Sequence, residues 1–482
     1  MKDAIKVSVF LAVNIFAYFI LELKEVGIFG KQNIIILYML YNLFFVAGLC
    51  LYGFLQKAIL KLLAHKIYLL FFILAYGISG ILTLFGSNLA VYLASLGIAI
   101  LITGIFSGAA YFSVYALVPK WWRGRVIAGG ICGGTLIQFL VELSRSLPHP
   151  DTYLYIHSGA FLTVVAIAGV LLLEGDILRS DAARVSADKN TEPENLHMLL
   201  ILLAAAVVII AYLSALYEGV ISMVYTAEEQ SILNTRLLYC VSVVAAGLVA
   251  DLKGRRYLAL ISVGVMTILI LDVFLLNYPA VKILNWIILF LGAGFLAMFV
   301  TLNFIDVAHL TPRPAWWTGA GRIIKHLASA FGSFLGVYLW SNPNTGLLVI
   351  ITQYLILLVA LIFLLFKLYQ MLILEKADVD IPNFANPVIL PVAESEVPLL
   401  SGELLPCNLE IRKYRFTDRE KQVLASIIAS STIKEIAAGL YISERTVKFH
   451  IKNILTKTDT KNQKDLLAKL MLNSNAYSED QN

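Results

Sequence analysis

The sequence predicts an all-α protein, a polytopic bundle of twelve transmembrane helices followed by a small four-helix domain. Of its 482 residues, 59% are hydrophobic and only 14% are charged, whereas about a quarter of the residues in soluble domains are charged. The apolar residues come in blocks of about 20, the length that crosses a hydrocarbon core roughly 30 Å thick. Polar and basic sequence collects near the C-terminal end, so a membrane part and a non-membrane part follow one another.

Twelve apolar blocks precede residue 375 and are the predicted transmembrane helices. They cover residues 6–23, 33–55, 67–87, 90–117, 126–147, 153–174, 197–220, 234–250, 257–276, 283–309, 316–340 and 346–372. We expect the first block to stay in the mature protein, because no small-residue cleavage site of a signal peptide follows it.

The distribution of Lys and Arg predicts the orientation of the bundle. Basic clusters follow even-numbered blocks, and the odd-numbered connections carry only scattered basic residues. The clusters comprise Lys57, Lys61, Lys66, Lys120, Arg123, Arg125, Lys253, Arg255, Arg256 and Arg313. Because positively charged loops stay on the cytoplasmic side, both chain ends are predicted to be cytoplasmic.

A short internal sequence repeat indicates two six-helix halves, of about residues 1–174 and 197–374. The stretch PKWWRG at 119–124 returns as PAWWTG at 314–319, 195 residues later, and the copies precede the fifth and eleventh blocks. Six blocks therefore separate them, as a duplication requires. The alternative is two chance Trp pairs in an interfacial aromatic belt.

The loop after the eighth block carries a second sign of this organisation. Its sequence GLVADLKGRR, residues 247–256, resembles the G-x-x-x-D-x-x-G-R-R signature of the major facilitator superfamily. The resemblance covers about residues 1–374 and implies a central cavity lined by helices 1, 4, 7 and 10. Asp251 is predicted to cap a neighbouring helix, and Arg255 and Arg256 to hold the loop at the cytoplasmic face. The matching loop of the first half lacks the Asp and the Gly-Arg-Arg.

Polar residues on the blocks that line the implied cavity form the candidate ligand site. They are Asn14, Tyr111, Tyr115, Tyr217, Glu218 and Asn303. An ionisable residue at the centre of a span costs about 2.5 to 3.5 kcal/mol, so each needs a partner or a function. For Glu218, a ligand role and simple hydration near the outer interface stay equally open. Asp306 is expected to meet Arg322, Lys325 or His326 in a structural or gating ion pair.

The composition changes abruptly after the twelfth block. Residues 375–411 contain five prolines, one lysine and seven acidic residues, a net charge of −6, which predicts an acidic Pro-rich linker.

Residues 412–482 are predicted to be a separate domain. Residues 412–472 carry thirteen Lys and Arg against six Asp and Glu, or +7, although the whole chain is +5. This charge suits nucleic-acid phosphate or anionic lipid.

Helix-start signals in the tail predict a helix-turn-helix. Thr417 and Glu420 form a capping box ahead of an apolar run, and Thr432 begins a second, shorter helix. A third begins at Ser443 after a four-residue break, which is typical of this motif.

The third tail helix is predicted to have a core face and a DNA-reading face. Its core face consists of Val447, Ile451, Ile454 and Leu455, and its opposite face shows Lys448, Phe449 and Lys452. Lys can donate to guanine O6 and N7, and Phe can contact a thymine methyl. Arg445 and Lys457, at the helix ends, are placed for backbone phosphate.

The order FTDRE, VL, IKEIA, ISERTVKFHIKNILTK and KNQKDL closely resembles the LuxR/NarL-type DNA-binding domain over about residues 415–472. The resemblance implies that Lys448, Phe449 and Lys452 face bases and that a fourth helix, about 463–471, contacts a second copy. The predicted DNA-contacting set is Thr432, Ser443, Arg445, Thr446, Lys448, Phe449, Lys452, Lys457 and Lys461. Asp459 lies where the family usually has Gly, and Asp can still adopt a left-handed turn.

Together these patterns predict a membrane-embedded one-component transcriptional regulator of the bacterial inner membrane. Its bundle would sense a small molecule or a membrane state and control DNA binding. Its predicted partners are double-stranded DNA, lipid, that ligand and a second copy of the chain.

The alternatives are an active secondary transporter with a regulatory tail, a tail that only docks on lipid or a partner, and a solvated helical domain. No enzyme is predicted, since P-loop and G-x-S-x-G signatures do not occur. No cofactor or metal is expected, because the His and Cys residues lack ligand spacing.

Overall fold

All regular secondary structure in the part of the chain that the computed structural model describes is helical, with no strand there. The structure describes residues 2–22, 34–86, 88–146, 150–174, 196–224, 231–252, 255–273, 275, 282–342, 346–378, 416–428, 433, 435–436, 444–460, 462 and 465–466. The chain divides into two compact units, Met1–Pro382 and Asn383–Asn482.

Each of the twelve predicted blocks coincides with a helix of the first unit. These helices are α1 (Lys2–Glu22), α2 (Ile34–Leu63), α3 (Lys66–Phe85), α4 (Leu89–Leu117), α5 (Arg123–Glu142), α6 (Pro150–Leu173), α7 (Leu196–Val224), α8 (Ser231–Leu252), α9 (Arg255–Val273), α10 (Lys282–Val307), α11 (Pro314–Trp340) and α12 (Gly346–Asp378). Among the described residues, ten are long and apolar enough to cross a membrane, and α8 and α9 contribute the shorter apolar segments Leu237–Leu252 and Tyr257–Val273. The predicted helical bundle is confirmed.

The outer surface of the bundle is apolar, as contact with lipid requires. Along α3, one side exposes large apolar residues at helical spacing. They are Ile67, Leu70, Phe71, Leu74 and Ile78. The opposite side of the same helix buries Tyr76, whose hydroxyl lies 2.8 Å from the Thr103 hydroxyl of α4. A helix in a bilayer can be apolar on its outside because lipid, unlike water, does not penalise that exposure.

Close helix contacts inside the bundle depend on glycine. A Cβ built on Gly104 of α4 would lie 2.9 Å from the Gly48 Cα of α2 and would also clash with the Phe45 carbonyl oxygen. Small residues let two membrane helices approach until their backbones touch. The α2–α4 contact therefore has no room for a side chain at Gly104.

The second unit contains α13 (Asp418–Ile428) and α14 (Glu444–Thr458). The capping box predicted at the start of α13 is confirmed, because the Glu420 carboxylate accepts from the Thr417 N–H at 2.8 Å and the Thr417 hydroxyl accepts from the Glu420 N–H at 3.3 Å. The buried core of this unit comprises Phe416, Val423, Leu424, Ile427, Ile436, Val447, Ile451, Ile454 and Leu466. Asp459 closes α14 with a φ of 50°, the left-handed turn that the sequence predicts.

Glu420 also joins the two helices. Its carboxylate, 4% exposed, lies 2.6 Å from the Lys457 ammonium at the end of α14. Burial by itself raises the pKa of Glu420, but Lys457 and the Thr417 N–H outweigh it, so that the pKa is lowered from its usual value. The ionised carboxylate therefore stabilises the packing of α13 on α14.

The glycine contact gives a first prediction. Gly104→Ala should destabilise the bundle by about 1 to 3 kcal/mol, because the added methyl group overpacks a backbone contact. Gly159→Ala is the matched control, since nothing lies within 4 Å of a Cβ at that position and Ala favours helix. Thermal unfolding of the full chain in detergent measures both, and equal unfolding temperatures would contradict the assigned contact.

The Glu420 pair gives a second prediction. A lowered folded pKa adds stability that is present above the unfolded pKa of about 4.3 and is lost as the pH falls through the folded pKa. Glu420→Gln should lower the protection of the α13 amides at pH 7 by about 1 kcal/mol, a value that allows for solvent screening of Lys457. It should also flatten the acid dependence of that protection.

Hydrogen exchange of the full chain, corrected for intrinsic rates, measures this protection. Asp465→Asn, at an exposed position, is the control and should leave the pH profile unchanged. An unaltered profile in Glu420→Gln would show that the pair contributes nothing.

Candidate DNA-binding surface and candidate ligand site

The exposed side of α14 carries the predicted reading face. Lys448 and Lys452 are exposed, and Phe449 is 60% exposed although it is a large apolar side chain. On the opposite side Val447 and Ile454 are fully buried in the core of the unit. Packing of that apolar side fixes the rotation of α14, so that two cations and an aromatic ring point outward together.

The other predicted DNA contacts divide into three groups. Thr446 lies on α14 and is partly buried. Arg445 also lies on α14, but its side chain is outside the described residues, as are the whole of Thr432, Ser443 and Lys461. Lys457 is exposed and its ammonium lies 2.6 Å from the Glu420 carboxylate; its contact with phosphate stays a prediction. The sequence pattern placed it at the helix end but did not show the buried carboxylate beside it.

A buried ion network joins the two halves of the bundle at one end. Asp306, at the end of α10, accepts from the Arg123 Nη1 of α5 at 2.9 Å and from the Arg255 Nε of α9 at 2.5 Å. The Asp306 side chain is 7% exposed. Arg123 also donates to the Tyr115 carbonyl oxygen at 2.9 Å. Two arginines from different halves thus share one carboxylate.

This arrangement corrects the predicted partner of Asp306. The expected partners were Arg322, Lys325 or His326, but the carboxylate turns to Arg123 and Arg255. The physical reason is position, since Arg322 lies more than two turns inside α11, with its guanidinium over the Tyr111 ring at 5.8 Å.

Asp251 completes the network and confirms the predicted helix cap. Its carboxylate accepts from the Gly124 N–H at 2.9 Å and from the Arg125 N–H at 2.8 Å, at the N-terminus of α5. The Arg255 Nη1 lies 3.1 Å from the same carboxylate. An anion is stabilised there by unpaired N–H groups and by the helix dipole. Arg256 begins α9 as well, but its side chain lies outside the described residues.

The equivalent position of the second half is built differently. Arg313 is the N-cap of α11 and makes no side-chain cap hydrogen bond. In its place, Trp316 of α11 packs against Phe54 of α2, with ring centroids 4.2 Å apart. The loop between α2 and α3 lacks an Asp equivalent to Asp251. The contact at the start of α5 is therefore ionic, whereas the contact at the start of α11 is aromatic.

The residues predicted to line a cavity make separate hydrogen bonds in the described structure, and their role as one ligand site stays a prediction. Tyr217 is fully buried and its hydroxyl donates to the Asp272 carboxylate of α9. Asn14 and Asn303 donate to the carbonyl oxygens one turn earlier, each at 2.7 Å. Glu218 accepts from the Ser214 hydroxyl at 3.3 Å.

Tyr111 and Tyr115, one helical turn apart on α4, remain beside charged groups. Arg322 lies over the Tyr111 ring, and Arg123 lies over the Tyr115 ring at 5.3 Å. The Tyr115 hydroxyl is buried without a hydrogen-bond partner among the described residues. A shallow apolar groove between α7 and α12, lined by Val208, Tyr212 and Gln353 among others, contains none of the predicted residues.

Sequence reasoning missed the role of Arg123. In the sequence it is one of the positive charges that predict the orientation of the bundle, although it lies in PKWWRG and the second copy has Thr318 in its place. The Arg-to-Thr difference between the two copies is the signal in the sequence that Arg123 has a role in only one half of the bundle. Among the described residues, no group of three or more His, Cys, Asp or Glu could hold a metal ion.

The fold and the exposed face of α14 define a membrane protein that carries a helix-turn-helix domain for DNA. The family described as bacterial regulatory proteins, luxR family, matches residues 415–470. The spore germination protein GerE of Bacillus subtilis (strain 168) is 38% identical over 55 residues, which are 11% of this chain and 74% of GerE. Through this domain the chain belongs to the luxR family.

Two longer regulators match only this domain. The uncharacterized transcriptional regulatory protein YhcZ of Bacillus subtilis is 52% identical over 46 residues, 10% of this chain and 22% of YhcZ. The nitrate/nitrite response regulator protein homolog of Haemophilus influenzae is 56% identical over 41 residues, 8% of this chain and 20% of that protein. The chain thus spans about a fifth of either relative.

The bundle has the fold of the major facilitator superfamily. The human organic anion transporter MFSD10 (TETRAN) is similar with a TM-score of 0.54 and 16% identity, over 75% of this chain and 98% of that one. The proton:xylose symporter XylE gives 0.52 and 14%, over 76% and 95%. At these identities the likeness concerns fold alone. The protein is therefore an integral membrane protein with a luxR-family domain.

The reading face gives a third prediction. Lys448→Ala combined with Lys452→Ala should weaken operator binding at least ~30-fold, since each base contact contributes about 1 to 3 kcal/mol. The matched control is Lys57→Ala with Lys61→Ala, two exposed lysines of α2, which removes the same charge from the bundle. Electrophoretic titration of the full chain in nanodiscs measures both, and equal affinities would contradict the assigned face.

Proposed function

We propose that this protein is a one-component transcriptional regulator of the bacterial inner membrane. In this proposal residues 1–374 form a sensory bundle, residues 375–411 an acidic linker, and residues 412–482 the DNA-binding domain, with both ends of the chain cytoplasmic. The bundle binds a small molecule or responds to a membrane state and thereby controls sequence-specific DNA binding. The role is regulatory and not enzymatic.

One observation carries the proposal. A luxR-family domain with an exposed Lys448, Phe449 and Lys452 face is joined, on one chain, to a bundle of the major facilitator fold. A bundle of this fold offers two packings of its halves, and a DNA-binding domain offers a readout. A membrane stimulus can then reach a promoter without a separate messenger.

The ion network supports a switch with two states. Asp306 is held by an arginine from each half, and Asp251 of the second half caps α5 of the first. Removing one partner of a buried ion pair typically costs about 3 to 5 kcal/mol. Separation of the halves at this end would break the Asp306–Arg123 pair and the Asp251 cap of α5 together. The Asp306–Arg255 pair lies within the second half and would stay. A ligand shifts such an equilibrium only if it prefers one state.

DNA binding as a homodimer belongs to the same proposal. Each half-site of an operator would be read by one α14, and two copies would match an operator with two-fold symmetry. The fourth helix expected at about residues 463–471 is the proposed contact between copies, by family resemblance.

An active secondary transporter with a regulatory tail is the second candidate. The intact Asp251 cap favours it, because this contact has the form expected of a gate. The start of α11 favours the regulator, because no described carboxylate accepts from its first N–H groups and the Trp316 and Trp317 N–H groups bond to the Arg313 carbonyl oxygen instead. Sealed vesicles that contain the full chain separate the two candidates. Concentrative, saturable uptake of a solute that stabilises the bundle would establish transport, whereas binding without uptake supports the regulator.

The network gives a fourth prediction. Asp306→Asn should favour separation of the halves at this end and change the operator-bound fraction of the full chain several-fold, because two buried arginines lose their carboxylate. Glu174→Gln is the control, since it removes only the exposed pair with Lys6. Fluorescence anisotropy with labelled operator DNA, in nanodiscs, measures the bound fraction. Cysteine labelling detects whether the halves have separated. If they separate in Asp306→Asn and the operator-bound fraction does not change, the proposal is contradicted.

A further inference from the structure

Arg322 is a charged residue that the proposed switch does not use. It is the ninth residue of α11 (Pro314–Trp340), which places it roughly 12 Å along the helix from its start. Its Nε is buried and has no hydrogen-bond partner among the described residues, and its guanidinium lies over the Tyr111 ring at 5.8 Å. Unlike Arg123 and Arg255, it makes no ion pair with a described carboxylate.

Such a cation is costly inside a membrane bundle. Arginine within a span is rare, and it usually pairs with a carboxylate or lines a polar cavity. The nearest expected neutraliser, Asp306, is already shared by two other arginines. Ion pairs among the described residues therefore do not explain an arginine at this position.

The groups around Arg322 come from both halves of the bundle. Tyr111 belongs to α4, and Tyr239 of α8 is close enough to Arg322, Tyr111 and Glu218 for electrostatic interaction. Glu218 accepts from Ser214 on its own helix and makes no ion pair with the guanidinium. The Arg322 guanidinium thus lies over the Tyr111 ring and within electrostatic range of Tyr239, at the junction of α4, α8 and α11.

This combination suits an organic anion. A guanidinium presents a planar fork of donors that matches a carboxylate in two parallel hydrogen bonds. Tyrosine supplies an apolar ring together with a hydroxyl that can donate. A ligand with a carboxylate at one end and an apolar body would satisfy both, whereas bare inorganic phosphate would leave the rings without a partner.

We propose that Arg322 anchors a small organic carboxylate between α4, α8 and α11, with Tyr111 and Tyr239 against its apolar body. This inference rests on the proposed sensory function and names the chemical class of its ligand. Because Arg322 and Tyr239 belong to the second half and Tyr111 to the first, the bound carboxylate contacts both halves. Its affinity therefore depends on how the halves are packed, which is the property that a ligand needs to shift the switch.

Thermal unfolding of the full chain in detergent tests the proposal, with benzoate as the probe. Benzoate should raise the unfolding temperature saturably, on the order of 2 °C or more, whereas uncharged benzamide and inorganic phosphate at equal ionic strength should not. Arg322→Gln should abolish the rise, Arg322→Lys should retain part of it, and Arg313→Gln, an exposed arginine just before the same helix, should leave it intact.

Several outcomes would overturn the inference. They are a wild-type protein that benzoate does not stabilise, an equal response to benzamide, or a benzoate response that survives Arg322→Gln. Without ligand, Arg322→Gln should be at least as stable as the wild type, because a half-buried cation without an ion pair among the described residues has been removed. A variant that unfolds for lack of this charge would assign Arg322 a structural role. No DNA is present in this experiment, so its failure leaves the regulatory proposal to the Asp306→Asn test.

Discussion

The Asp306 carboxylate between Arg123 and Arg255 is the contact on which the rest of this account depends. It is buried, it joins α10 to helices of both halves, and its neighbour Asp251 caps α5 across the same boundary. Buried charges of this kind contribute little net stability against an apolar alternative, but they are expensive to separate. Such a contact favours discrete packings of the halves over continuous deformation. A bundle with two discrete packings can control a domain that is either bound to DNA or released from it.

Two arginines inside this bundle illustrate opposite electrostatic situations. Arg123 has a carboxylate and a backbone carbonyl as partners, whereas Arg322 stacks on Tyr111 and makes no ion pair among the described residues. The first stabilises one packing of the halves, and the second is a charge that a ligand can neutralise. If both belong to one equilibrium, a carboxylate bound at Arg322 and the ion network at Asp306 act on the same choice between packings. By linkage, DNA and ligand then influence each other's affinity by the same factor.

The sequence was sufficient for the parts of the structure that follow local patterns. Twelve apolar blocks, the Thr417–Glu420 capping box, the core face of α14 and the left-handed Asp459 all follow from period, length or turn chemistry. Partners across long sequence separations did not follow. Asp306 meets Arg123, which is 183 residues away, and Lys457 meets Glu420 on another helix. Several basic residues lay near enough in the pattern to be plausible partners, and only the three-dimensional packing selects among them. The hydrogen-bond partners of the candidate cavity residues, such as Asp272 for Tyr217, did not follow either, since helix number does not fix helix rotation.

The central claim is that one equilibrium couples the packing of the bundle to DNA binding. Electron spin resonance distances between labels on the two halves, measured in nanodiscs with and without operator DNA, test it most directly. Because coupling is reciprocal, saturating operator must shift the distance distribution, whereas unrelated DNA at the same concentration must leave it nearly unchanged. An identical distribution with and without bound operator, in a protein whose halves are otherwise able to move, would contradict the account.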